Sequence, residues 1–146
     1  MRLIVTILSF LLASGLELVG SFFSLIPSQG MHGNERFLLV LLYLLIAIVL
    51  VNLVGAAIGL FPLGIVYGVD TWWRTVLGFV AGSIVFAISL SVEFELIPDI
   101  GASVIAPLRL INLLVGLVGL LSPPAGGLIA LIAFRRRQRA APQPIG

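Results

Sequence analysis

Residues 37–61 read FLLVLLYLLIAIVLVNLVGAAIGLF, an unbroken apolar run with no charged side chain. As an α-helix this run is about 37 Å long at 1.5 Å per residue, enough to cross a hydrocarbon core of about 30 Å with some tilt. Its one amide side chain is Asn52. A segment of this kind has lipid as its solvent, and the rest of the chain agrees. Hydrophobic residues make up 60% of the 146 positions and charged residues 10%, against about 25% charged in soluble domains. A soluble chain of this size has too little interior to hide so many apolar side chains.

Upstream, residues 3–26 are apolar behind Arg2. Ala13-Ser14-Gly15 resembles a signal-peptide cleavage site, but apolarity continues through Val19, Phe22, Phe23 and Ile26, so an uncleaved spanning helix is expected. A polar loop over 27–36 follows. Downstream, 62–71 is rich in Gly and Pro and reads as a loop. Trp72-Trp73-Arg74 marks a membrane interface, where amphipathic rings sit among headgroups. A third run covers 75–97 and is closed by Glu93, Glu95, Pro98 and Asp99.

Residues 100–134 are mostly apolar and, as one straight helix, about 52 Å long, which overruns the bilayer. Ser122-Pro123-Pro124-Ala125-Gly126-Gly127 is the expected break, since two prolines remove two backbone donors and Ser before Pro reads as a helix start. The fourth span is therefore placed at about 103–121, with a short interfacial helix over 123–134. The rival reading is one kinked span over 108–134.

These readings give an all-α integral membrane protein with four transmembrane helices in one domain, 1–134, and a basic, flexible cytoplasmic tail, 135–146. Arg2, Arg74, Arg135, Arg136, Arg137 and Arg139 fall on one side of such a topology and Arg36 on the other, so both termini are expected inside. The expected location is a bacterial inner (plasma) membrane. The basic residues are all Arg, the net charge is +2, and half of the arginines lie in 135–139. That is not a spread nucleic-acid surface, and no nucleic-acid partner is expected. The absence of Cys excludes disulfides, thiolate metal sites and a Cys nucleophile.

Glu17 is the most informative residue, because a carboxylate inside a span is costly and functional by default. It belongs to a stripe, Thr6, Ser9, Ala13, Glu17, Ser21 and Ser24, at helical steps of three and four, a face that should meet protein. Counting from each helix end puts Arg109 and Glu93 near Glu17 in depth, so the three are expected to form one buried polar cluster. Under the kinked-span reading Arg109 instead snorkels to the outer interface. The same counting puts Asn52 in the inner third, too deep to reach Glu17. Asn52, Asn112 and Gly116 read as helix-packing positions. So do Gly55 with Gly59 and Gly78 with Gly82, which share the G-x-x-x-G spacing that lets helix backbones approach. His32, the lone His, falls in a loop and reads as solvated. No nucleotide, hydrolase or metalloprotease motif is present.

Leu16-Glu17-Leu18-Val19-Gly20 resembles the glutamate-bearing first helix of small multidrug resistance transporters, which also have four spans. Pro62-Leu63-Gly64-Ile65-Val66-Tyr67 echoes a segment before their third helix. The resemblance implies a cation- and proton-binding role for Glu17 alone. It covers about a dozen residues of low complexity. The long fourth segment, the two prolines, Arg109 and the basic tail depart from that family's compact pattern, so membership is not assigned.

Two functions follow as expectations. The first is a non-catalytic small subunit that packs against and stabilises a larger membrane protein complex, without a cofactor and in contact with membrane lipids. The second is a small homodimeric proton- or cation-coupled transporter built on Glu17.

Overall fold

The computed structural model describes residues 1–25, 37–96 and 106–141. Five helices follow in order: α1 (Arg2–Leu25), α2 (Phe37–Gly59), α3 (Phe61–Tyr67), α4 (Val69–Leu96) and α5 (Ala106–Ala140). No strand occurs among the described residues. Four of the helices are long and apolar enough to cross a membrane, with windows at Arg2–Ser24, Leu41–Gly59, Val69–Leu90 and Leu113–Ala140. The chain is thus an all-helical multi-pass membrane protein. Residues 26–36, with His32, Glu35 and Arg36, and Asp99 lie outside the described residues, and with them the loop expected over 27–36.

Three expectations change. The segment after α2 is a short helix, α3, rather than a loop. Pro62 sits in its first turn, where its missing N–H costs nothing. Gly68, at φ 95°, then turns the chain, and its N–H donates to the Gly64 carbonyl. α4 therefore begins at Val69, not 75. Asp70 lies in its first turn, where a carboxylate favours the helix dipole.

The expected break in the fourth segment is absent. α5 runs continuously through Pro123 and Pro124 from Ala106 to Ala140, so neither a span ending at 121 nor a separate interfacial helix exists. The window Leu113–Ala140 agrees with the single-span alternative. Two lost hydrogen bonds cost less than a loop at membrane depth, which would strand many more backbone groups. The Ser122 hydroxyl donates to the Val118 carbonyl. The segment that reads as a break is in fact where α4 comes nearest: a Cβ on Gly82 would lie 2.6 Å from Pro123 Cα, and one on Gly78 would lie 2.5 Å from the Gly126 carbonyl oxygen. The expected tail also begins later. Residues 135–140 are still α5, because an existing helix extends cheaply and Arg137 and Arg139 in its last turn suit the negative end of its dipole.

α4 and α5 form the most extensive helix pair. α1 packs on α2 and α2 on α4. α1 returns to α5 where Phe10 lies against Gly127. One apolar cluster joins Ala13, Ala56, Leu60, Leu63, Val76 and Phe79. The other joins Leu44, Ile48, Phe86 and Ala87. Trp72 Nε1 donates to the Ala57 carbonyl at 3.1 Å, satisfying an acceptor at the end of α2 that has no helical donor.

Candidate functional site

The α1 stripe faces protein. Ser9, Ala13, Glu17, Ser21 and Ser24 are all buried, Glu17 with 1% of its surface exposed. The wall they meet is α2. A Cβ on Gly59 would lie 2.5 Å from Ala13 Cα, one on Gly55 would lie 3.3 Å from Leu16 Cβ, and Gly20 faces the Val51 side chain. These three contacts fix an antiparallel register. Position 17 falls opposite 55, and position 52 opposite 20.

Asn52 is therefore about one helical turn, roughly 5 Å, along the axis from Glu17. This corrects the depth argument that kept them apart. That argument assumed that both helices start at a membrane face. α2 instead ends beside Ala13, and α3 covers the remaining length of α1. There the Tyr67 hydroxyl reaches the Arg2 carbonyl at 3.4 Å and lies 3.2 Å from the Thr6 hydroxyl.

Asn52 is fully buried. Its Oδ1 and Nδ2, Glu17 Oε1 and the hydroxyls of Ser9 and Ser21 have no hydrogen-bond partner among the described residues. Such groups cost about 1–3 kcal/mol each when left unsatisfied. Glu17, Ser21 and Asn52 gather at the α1–α2 interface, while Ser9 lies four residues beyond the point where α2 ends beside Ala13. The side chains of Glu93, Arg109 and Asn112 lie outside the described residues. The backbone of position 109 stands eighteen residues, about 27 Å, from Gly127 along α5. Glu17 stands seven residues, about 10 Å, from Phe10 along α1.

The glycine pairs also fall into place. Gly55 and Gly59 are used against α1, and Gly78 and Gly82 against α5. Gly116 is half-buried, while Gly119 meets Ser89 and Phe86. Asn52 as a neighbour of Glu17 was missed by sequence reasoning. The Gly20, Gly55 and Gly59 spacing carried the signal, but only with the register known.

A second grouping lies at the end of the bundle that holds Arg2. The Arg135 guanidinium stands 4.8 Å over the Tyr67 ring, and that of Arg74 stands 4.5 Å over the Phe134 ring. The interface residues Trp72 and Trp73 adjoin them. Among the described residues no group of three or more His, Cys, Asp or Glu side chains is placed to hold a metal.

No family model, no curated protein and no solved structure matches this chain.

Proposed function

We propose that this protein is a small ion-coupled membrane protein whose working site is the enclosed polar interface of Glu17 and Asn52. The observation that carries the reading is the set of polar atoms there that are unpartnered among the described residues: Glu17 Oε1, both polar atoms of Asn52, and the Ser21 hydroxyl, all buried between two helices at membrane depth. A carboxylate in such a place needs a proton or a cation. Asn52 offers an amide oxygen one turn away, and Ser21, one turn along α1, offers a hydroxyl oxygen. Oxygen donors of this kind suit a proton or a small hard cation. Movement of α1 on α2 is the simplest way to open the site. With Arg2, Arg74 and Arg135–Arg139 on the inner side, the chain lies N-in and C-in in a bacterial inner membrane.

A second reading rests on how closed the site is. Glu17 is only 1% exposed, and burial of that degree suits a polar lock on the α1–α2 pair. The protein would then act as a non-catalytic subunit of a larger assembly.

The full chain in liposomes with an internal pH dye decides between them. The ion-coupled reading expects dissipation of an imposed pH or cation gradient, with Glu17→Gln folded but silent. The reading fails if the native protein carries no flux. Stoichiometric recovery of a larger complex in mild detergent, unchanged by Glu17→Gln, would establish the subunit role instead. The topology has its own check: Gly33→Cys and Gln143→Cys should label from opposite sides of the membrane.

A further inference from the structure

A groove of about 290 Å³ opens between α4 and α5 at the basic end of the bundle, lined by Arg74, Leu77, Ala130, Ala133, Phe134 and Arg137. Its floor is apolar, and two guanidinium groups stand at its rim. Arg74 comes from α4. Arg137 and Phe134 come from one face of α5, three residues apart. The Phe134 ring beneath Arg74, 4.5 Å away, holds that guanidinium by a cation–π contact, which uses none of its N–H groups.

Neither arginine is in ion-pair contact with a carboxylate among the described residues. That includes Asp70, which lies one turn before Arg74 on the same helix. Arg136 and Arg139 on the same turns are also exposed, and Arg135 stands over Tyr67, so the field around the groove is positive. The groove lies between two helices that span the membrane, at the level of Trp72 and Trp73, where headgroups meet hydrocarbon.

We propose that this groove binds an anionic phospholipid: Arg74 and Arg137 clamp the phosphate, and the first carbons of an acyl chain lie on Leu77, Ala130 and Ala133. Two observations point to a lipid rather than a free anion. The floor is apolar, which a free phosphate would leave unused, and the groove opens between two helices that are long and apolar enough to cross a membrane. Guanidinium groups suit phosphate because they donate in pairs from a planar fork. The proposal is independent of the Glu17 reading, since no residue is shared between the two sites.

The test uses the full chain in mild detergent, with retention of added dioleoyl phosphatidylglycerol or dioleoyl phosphatidylcholine read by native mass spectrometry. Each arginine near an anionic surface contributes a factor of roughly five. The native protein should therefore prefer phosphatidylglycerol by roughly thirtyfold over a variant with both Arg74→Gln and Arg137→Gln. The single change Arg137→Gln, at an exposed position that bears no packing, should cost roughly fivefold and serves if the double variant does not fold. Arg136→Gln with Arg139→Gln should leave the preference intact. Equal losses from the two double variants would mean diffuse charge attraction and overturn the site. Full displacement of the lipid by inorganic phosphate would overturn the lipid assignment.

Discussion

The α4–α5 and α1–α2 interfaces are both built from small residues, yet they differ in what happens to their polar groups. On α4 the hydroxyls of Thr71, Thr75, Ser83 and Ser89 each donate to the carbonyl four residues back, to Tyr67, Thr71, Phe79 and Val85. Ser122 on α5 does the same. Among the described residues, the hydroxyls of this seam are satisfied from within each helix, and the backbones close on each other at Gly78, Gly82, Pro123 and Gly126. On α1 and α2, Ser24 folds back in the same way, but Ser9, Ser21, Glu17 and Asn52 keep unpartnered atoms.

Chemistry explains the difference for Glu17, whereas Ser9 and Ser21 carry hydroxyls that make no such bond among the described residues. A hydroxyl can donate to its own helix, because carbonyls have a spare lone pair. An ionised carboxylate can only accept, and the amides of a helix interior are already engaged. Among the described residues, the first seam is thus complete in itself. The second needs something the helices do not provide, which is why it, and not the tighter seam, is the candidate site.

The largest expected effect comes from breaking the complete seam. Gly82→Leu drives a side chain into the Ser122 carbonyl and the Pro123 backbone, neither of which can rotate away. The expected loss is about 3 kcal/mol or more, toward the upper end of overpacking costs. Thermal unfolding followed by the fluorescence of Trp72 and Trp73 measures it, and an unchanged midpoint would show that α4 and α5 do not approach at Gly82.

Glu17→Ala comes next. It removes a fully enclosed side chain and opens a cavity beside Asn52, at an expected cost of about 2 kcal/mol. Glu17→Gln keeps the volume and should stay within about 1 kcal/mol of the native protein. Equal losses from the two would place the role of Glu17 in its charge alone.

Asn52→Leu should act in the opposite sense. It replaces two unpartnered polar atoms with a buried apolar side chain of similar size, and a gain of about 1 kcal/mol is expected. If thermal stability falls by that much instead, Asn52 has a partner in the folded protein, and the contrast between the two seams weakens.

The smallest effect is expected at Gly20→Ala. The new methyl meets only the Val51 side chain, which must move although its χ1 is stiff in a helix, and Ala, the better helix former by about 1 kcal/mol, offsets part of that cost. A net loss of about 1 kcal/mol or less is expected. The same substitution at Gly82, against backbone, should cost clearly more.

The sequence alone determined the helical class, the four apolar helices and the direction of the α1 stripe. Each of these follows from local rules. A run such as 37–61 has no soluble alternative, and a stripe at steps of three and four shares one face of any helix. A carboxylate on that face cannot be left to lipid. Only the tertiary structure decided three further points. Pro123 and Pro124 stay inside one helix because α4 packs against that segment, an interaction more than thirty residues away in sequence. Residues 61–67 form a helix, closed by Gly68, the one residue with positive φ among those described. Asn52 lies a turn from Glu17 because the Gly20, Gly55 and Gly59 contacts set the offset of α2 along α1. Periodicity tells which face of a helix is buried. It carries no information on how far one helix slides along another, since that offset is chosen by close contacts between residues distant in the chain.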